Sequence, residues 1–390
     1  MPKLAVLTNE LPPYRRPIFE RLAQRRWLDV TVLLSSRVEA YRQWDALQEM
    51  ANVNIRIVRS FSLFVRQRNR VRIVQFPYGA IWGLARQRPN VVISGEFGFR
   101  TLVSWLYCAF SRVPLIIWSE EIPLGALHAS RLQQRLRRFL SARADGFLAW
   151  GQPARRYLLS LGVPESRISD CVQAVDNGHW GEAVPLVDTA AVRASHGMEG
   201  PTALYVGNLF KPKGVDYLIE AWAKMPLTVQ EGSTLVVIGG GEERESLEAL
   251  AARLGAQNVL FLGPIPHAEM PAYYASADFL VLPTLLDVWG LTVNEAMASG
   301  IPVLCSQFAG CAEELIVKGK TGDIFDPYDT GALSALIAEW LQQQRPKPDP
   351  AIQSHIAAWN FDRTVEGILD RLAKLGFHPA TDESIVDQRA

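Results

Sequence analysis

The sequence has little cysteine and none of it in a pairing pattern. Its four cysteines, Cys108, Cys171, Cys305 and Cys311, form no C-x-x-C. That excludes a disulfide framework and a thiolate zinc site, and it predicts reduced thiols in a cytoplasmic protein. There is no D-x-D triplet and no paired Cys/His ligand spacing. A carboxylate cradle for a metal–diphosphate complex is therefore not expected; no metal and no resident cofactor is predicted. Long hydrophobic runs are absent as well. The most apolar segment, residues 101–110, is too short to span a bilayer. Pro12 and Pro13 interrupt the N-terminus before the apolar core of a signal peptide could form. No nucleic-acid partner is predicted, although a basic half could favour one among other anions.

Net charge is also absent, with 40 Lys and Arg against 40 Asp and Glu, yet it is unevenly placed. Residues 1–185 hold 26 basic and 14 acidic side chains, and the remainder holds 14 and 26. A basic first half favours anionic partners, or the two halves attract one another. The chain is 390 residues long, 48% hydrophobic and 21% charged, which suits a soluble protein of two domains.

The most informative stretch is residues 278–316. An apolar run at 278–282 reads as a buried strand. A polar loop with Asp287 and Gly290 follows. Residues 291–299 have helical character, with Glu295 one turn in and Gly300 as the stop. Residues 301–305 read as another buried strand. Strand, loop, helix, strand is the unit of a parallel sheet, whose ligands bind beyond the carboxyl ends of the strands. Gly290 allows backbone to come close to a ligand. The free N–H groups at Leu291 and Thr292 can hold a phosphate. A carboxylate beside them can accept from the paired hydroxyls of a ribose. Alternatively, Asp287 and Glu295 only favour a helix start.

The stretch resembles the nucleotide-sugar site of retaining GT-B glycosyltransferases of family 4. The family carries E-x7-E, then A-M-A-x-G-x-P-V, then a Gly-rich turn ending in Glu. Here stand Asp287-x7-Glu295, Ala296-Met297-Ala298-Ser299-Gly300-Ile301-Pro302-Val303 and Gly310 to Glu314, followed by Gly319-Lys320-Thr321-Gly322. Asp287 is one methylene shorter than the family's Glu, which touches the donor sugar.

Repeated βα units occur in both halves. A strand at 4–8 leads into a loop without G-x-G-x-x-G, carrying Tyr14, Arg15 and Arg16. A strand at 30–34 follows. Residues 37–77 read as irregular, with Arg66, Arg68, Arg70 and Arg72 alternating with uncharged residues, which fits a strand with one basic face or a loop near the cleft. A helix is expected at 76–85. Strands at 91–94 and 114–118 end in Glu96 and Glu120, which makes these two carboxylates acceptor-site candidates, although Glu120 could instead cap a helix. A basic helix at 131–143 carries Leu132, Leu136 and Leu140 on a stripe that faces core or lipid. Asp176-Asn177-Gly178 reads as a turn and 181–200 as a linker. A strand at 203–206 opens the second half, followed by Gly207, Asn208, Lys211, Lys213 and Gly214 before a helix. Two lysines there can neutralise a diphosphate. The family shows G-R-x-x-x-x-K-G at this place, so Lys213 matches and Asn208 stands where Arg is usual. Gly239-Gly240-Gly241 resembles the family's nucleotide-side turn, and backbone around Ile265 stands where relatives meet the base. His267 reads as a surface residue. A last helix at 361–375 is followed by a loosely ordered tail.

The resemblance implies an α/β GT-B fold of two Rossmann-like domains facing a cleft. Residues 1–182 would bind the acceptor and 200–360 the nucleotide sugar, with the final helix crossing back. It implies a metal-independent retaining transferase using a UDP- or GDP-type sugar. Asp287, Lys213 and Glu295 would be catalytic. Gly207, Asn208, Lys211, Gly240, Ile265, Gly290, Leu291 and Thr292 would complete the donor site. Tyr14, Arg15, Arg16, Glu96 and Glu120 would meet an anionic or lipid-linked glycan acceptor in surface polysaccharide assembly, with peripheral attachment at the inner membrane face. Two other readings are an epimerase of the same architecture and a non-catalytic nucleotide-sugar-binding subunit.

Overall fold

A computed structural model describes residues 1–35, 50–67, 70–127, 129–343 and 345–379. The chain divides into two compact units, Met1–Val172 with Phe361–Ala390, and Gln173–Asn360.

The first unit is a seven-stranded parallel sheet. Its strands are β1 (Lys3–Thr8), β2 (Asp29–Leu34), β3 (Val53–Ile57), β6 (Val91–Gly95), β7 (Leu115–Ser119), β8 (Gly146–Trp150) and β9 (Ile168–Cys171), in the order β3-β2-β1-β6-β7-β8-β9. Between β3 and β6 the chain makes an antiparallel hairpin of β4 (Phe61–Gln67) and β5 (Arg70–Phe76). The runs KLAVLT, LIIWS and GFLAW are apolar on both sides, which suits strands covered on both faces. One face packs Ala5, Leu7, Val92, Leu115, Ile117 and Phe147 beneath the helices Ala80–Gln87, Phe99–Ser111, Arg131–Ser141 and Gln152–Ser160. On the other, Trp118 meets Phe19 of the helix Arg16–Gln24, ring centroids 6.4 Å apart. The C-terminal helix Phe361–Lys374 returns to this unit and packs on β8 and β9. Its Arg371 is only 2% exposed, with Nη2 donating to Ser166 O at 3.0 Å.

The second unit is a six-stranded parallel sheet. Its strands are β10 (Thr202–Val206), β11 (Thr234–Ile238), β12 (Val259–Gly263), β13 (Phe279–Leu282), β14 (Val303–Ser306) and β15 (Gly322–Phe325), in the order β12-β11-β10-β13-β14-β15. Both faces are apolar, with Leu204, Leu280 and Val303 on one and Tyr205, Val281 and Leu304 on the other. Strand order reverses between β10 and β13. A parallel sheet leaves a crevice for ligands beyond the strand ends at such a reversal.

Several expectations need correction. Residues 53–57 form a strand rather than irregular chain; 61–67 and 70–76 are strands as well, which agrees with the strand reading of the arginine alternation, so Phe76 ends a strand and the next helix starts at Ala80. The turn expected at Asp176-Asn177-Gly178 is a helix start. The Asp176 carboxylate caps it by accepting from His179 N at 3.1 Å, and Asn177–Ala183 is helical. The expected linker contains a further helix, Thr189–His196, likewise capped by Asp188. The leucine stripe of Arg131–Ser141 is split, since Leu140 is buried while Leu132 is 74% exposed. Arg68 lies outside the described residues, as do the side chains of Arg66, Arg70 and Arg72 and the tail from residue 380.

Candidate active site

The donor-side candidates stand on loops and on one helix start at the carboxyl ends of the second sheet. After β10 the chain runs Gly207 to Gly214. Leu209 N donates to Gly240 O at 2.9 Å, which binds this loop to the glycine turn after β11. Leu285 N donates to Pro212 O at 2.8 Å and Thr284 Oγ1 to the same oxygen at 3.1 Å, which ties it to the loop after β13. Gly214 is left-handed (φ 65°), and a Cβ there would lie 2.2 Å from Pro283 O. Only glycine permits this approach, and it aims Lys213 across the sheet end.

Lys213 Nζ lies 2.5 Å from Asp287 Oδ2. Asp287 is itself held, because its backbone O accepts from Gly310 N at 3.0 Å and its Oδ1 from Trp289 N at 3.3 Å. Gly290 (φ 102°) then turns the chain into the helix Leu291–Ala298. No side chain caps this helix and no acid lies in its first turn. Asp287 and Glu295 therefore do not act as helix-start carboxylates, and the N-terminal dipole faces the crevice without an internal anion. Glu295, one turn further, accepts from Tyr274 Oη at 2.8 Å. Burial pushes its carboxyl up to about 7, against the lowering effect of the tyrosine. Tyr274 is wholly buried, edge-on to Trp180 at 5.3 Å.

Gly207, Asn208, Lys213, Gly240, Asp287, Gly290, Leu291, Thr292 and Glu295 thus share one end of the sheet. Ile265, half-buried after β12, lies at the same end. Lys211 is turned to Asp216 instead, Nζ to Oδ2 2.5 Å, and is 59% exposed. Asn208 is exposed, and its carbonyl accepts from Tyr205 Oη at 2.9 Å. His267 is exposed as expected, beside His179 and Trp180.

The first unit gathers a second cluster at the carboxyl ends of its own strands. Glu96 follows β6 with φ 61°, a strained conformation for glutamate. Its Oε1 accepts from Glu120 N at 2.7 Å. Glu120 accepts from Trp118 Nε1 at 2.9 Å and pairs with Arg15, whose guanidinium lies 4.8 Å from the Trp118 ring. Glu120 caps no helix, since the helix after it starts from Ile122 without a side-chain cap. Burial, then the neighbouring Glu120 charge, pushes the Glu96 carboxyl up to about 8. Tyr14 packs near the Arg15 guanidinium at 5.7 Å, and Arg16 begins the helix Arg16–Gln24. Arg100, Trp150 and Arg137 enter the same region unforeseen. Arg100 Nη2 donates to Gly95 O at 2.6 Å, Trp150 stacks on Trp118 at 4.3 Å, and Arg137 pairs with Glu121. Tyr274 was likewise missed. Each of these sits on a helix or strand whose local pattern carries no chemical signal, and only the packing brings it to a site.

A family model described as "Glycosyl transferases group 1" matches residues 189–355. The chain is 34% identical over 165 residues to the GDP-mannose-dependent alpha-(1-6)-phosphatidylinositol monomannoside mannosyltransferase of Mycolicibacterium smegmatis, covering 40% of this chain and 43% of that protein. It is 28% identical over 301 residues to the D-inositol 3-phosphate glycosyltransferase of Nocardia farcinica, covering 71% and 64%. The chain thus spans less than two thirds of either relative's length. Among solved structures, Anabaena Alr3699/HepE in complex with UDP superposes with a TM-score of 0.74 at 18% identity, over 96% of this chain and 100% of that one. That likeness establishes the fold as GT-B.

Proposed function

We propose, on the match of residues 189–355 to the glycosyl transferases group 1 model, that this chain moves a sugar from a nucleoside diphosphate to an acceptor hydroxyl with retention. One observation carries the reading. The Lys213–Asp287 pair, the uncapped start of Leu291–Ala298 and the half-buried Glu295 converge at the strand-order reversal of the second sheet. A diphosphate needs a cation and free N–H groups, a ribose needs a carboxylate, and the sugar needs a hydrogen-bond acceptor between them.

Glu295 accepts from the ribose hydroxyls and Asp287 from the sugar. Lys213 and the N–H groups of Leu291 and Thr292 hold the diphosphate, with Lys211 held in reserve by Asp216. The Gly207–Asn208 and Gly240 backbone lies close to the phosphates, and backbone around Ile265 meets the base. In the reaction the bond from the anomeric carbon to the leaving phosphate oxygen breaks and a bond to the acceptor oxygen forms on the same face. The acceptor proton passes to the leaving phosphate. Charge on that phosphate is met by Lys213 and the helix start, without a metal. One similar protein is a GDP-mannose-dependent enzyme and one solved neighbour holds UDP, so both bases belong in the test.

Glu96, Glu120, Arg15, Tyr14 and Arg16 form the acceptor end. The basic character of residues 1–185 suits an anionic or lipid-linked glycan at the inner membrane face, in assembly of a surface polysaccharide or glycoconjugate. The test is calorimetry with UDP and GDP, followed by release of nucleoside diphosphate from UDP- and GDP-sugars over an acceptor panel. Binding of one nucleotide by the wild type, lost in Glu295→Ala with the fold intact, is expected. Equal affinity in Glu295→Ala would overturn the assignment.

A further inference from the structure

We propose that the helical face of the first unit formed by Ala80–Gln87, Phe99–Ser111 and Arg131–Ser141 docks onto an anionic lipid bilayer, lying in its interface. This deepens the membrane-proximal part of the reading above, and its test is read without any sugar. The three helices pack side by side over the same apolar face of the sheet, the second touching both others. None of them contains an acidic residue. Their outward surface is nevertheless apolar where solvent would favour polar groups. Phe110 is 88% exposed, Leu132 74% and Trp82 68%, and Phe99 and Leu106 stand exposed on the same stripe of the middle helix as Phe110. Exposed apolar residues scattered singly are ordinary, but Phe99, Leu106 and Phe110 share one stripe of a helix packed against the one that carries Trp82, and such an arrangement marks a contact surface.

Charge decides what covers it. Arg86, Arg135 and Arg138 are exposed on these helices, and Arg112 and Arg143 just beyond the ends of two of them. Arg143 lies 3.9 Å from the centroid of Phe139, whose ring is edge-on to Trp105 at 4.8 Å. Arg112 and Arg143 line one cavity of about 470 Å³ beside Phe110 in sequence, of a size to admit a phosphate headgroup. Asp145 also lines it, and its Oδ2 is engaged by Leu115 N at 2.8 Å. An apolar stripe ringed by arginines, on a face without acids in its helices, matches acyl chains below and anionic headgroups above. No helix among the described residues is long and apolar enough to cross a membrane, so the contact is interfacial.

The test is flotation of the full chain with phosphatidylcholine vesicles, alone or with about one quarter phosphatidylglycerol. Binding to the mixed vesicles, a much weaker response to phosphatidylcholine alone, and partial release by high salt are expected. Arg112→Ser and Arg143→Ser should each weaken partitioning about fivefold. Trp82→Ser with Phe110→Ser should weaken it by about tenfold or more at any salt. Far-UV circular dichroism and melting should be unchanged, because these side chains are exposed. Equal binding to both vesicles, no binding, or variants that bind like the wild type would overturn the proposal. So would concentration-dependent self-association that Phe110→Ser abolishes, which would make the face an interface between copies. Vesicle binding by a wild type that binds no nucleotide would support the surface while removing the transferase reading.

Discussion

Lys213 and Asp287, 74 residues apart in the chain, meet at 2.5 Å, Nζ to Oδ2, where the strand order of the second sheet reverses. The two side chains are 26% and 16% exposed, so the pair faces the crevice without being sealed from it. A diphosphate entering that crevice would compete with Asp287 for the lysine. Asp287 would then be released toward the sugar. Its short side chain suits this double task, since it reaches the lysine while its backbone stays tied to Gly310.

Lys213→Ala should lower kcat/KM by an amount equivalent to roughly 2–4 kcal/mol, the loss of one preorganised cationic donor. Asp287→Asn should be costly alone, and the double variant should cost less than the sum, because the two groups share one interaction. Steady-state kinetics on the four proteins checks this. Strict additivity, or collapse in Lys211→Ala with Lys213→Ala still active, would assign the leading cation wrongly.

Nucleotide affinity should rise with pH through about 7, where burial places the Glu295 carboxyl. The ionised form accepts more strongly from ribose hydroxyls. Tyr274 donates to that form, so Tyr274→Phe should move the midpoint to higher pH, and Glu295→Gln should flatten the profile. Calorimetric titrations from pH 5.5 to about 8.5 with the better nucleotide read this out. A midpoint that stays put in Tyr274→Phe would remove the tyrosine from the site.

Glu96 should make stability fall with rising pH. Its carboxyl is raised from about 4.5 to about 8 by burial and by the Glu120 charge, so the folded state holds a proton that the unfolded state releases. The stability this gives is full below about 4.5 and is lost as pH rises through about 8. Glu96→Gln can still accept from Glu120 N but cannot ionise. It should therefore melt higher than the wild type at high pH, by about 2–4 °C for each kcal/mol recovered, with the gap closing toward acid pH. Parallel melting curves across the range would contradict the buried carboxyl.

Turnover should persist in EDTA. Lys213 and the uncapped helix start are placed to meet the diphosphate charge. Loss of product in chelator, restored by Mg²⁺ or Mn²⁺, would contradict a metal-independent mechanism.

Much of the second unit was readable from the sequence because its signals are local. Apolar runs of strand length and Gly290 at a loop-to-helix junction follow from backbone rules that do not depend on distant packing. The roles of Asp287 and Glu295 were legible only through the resemblance, since their spacing alone fits a helix start equally well. The strands at 53–57, 61–67 and 70–76 were less readable, since polar and apolar residues mix there and pairing with a neighbour decides the conformation. Asn177–Ala183 shows the opposite conflict. Asn-Gly favours a turn, but an Asp176 cap and the burial of Trp180 win.

What the sequence by itself determined was the kind of groups present and the loops that carry them: Lys213, Asp287 and Glu295, and the carboxylates after β6 and β7. What only the tertiary structure decided was their partners. The order of parallel strands set β13 beside β10, and that brought Asp287 to Lys213 rather than Lys211. Packing of a separate helix brought Tyr274 to Glu295, and Arg15 reached Glu120 across 105 residues. Spacing along a chain fixes neighbours only within a turn or a strand. Distant partners are set by which faces bury together, and that is a property of the folded whole.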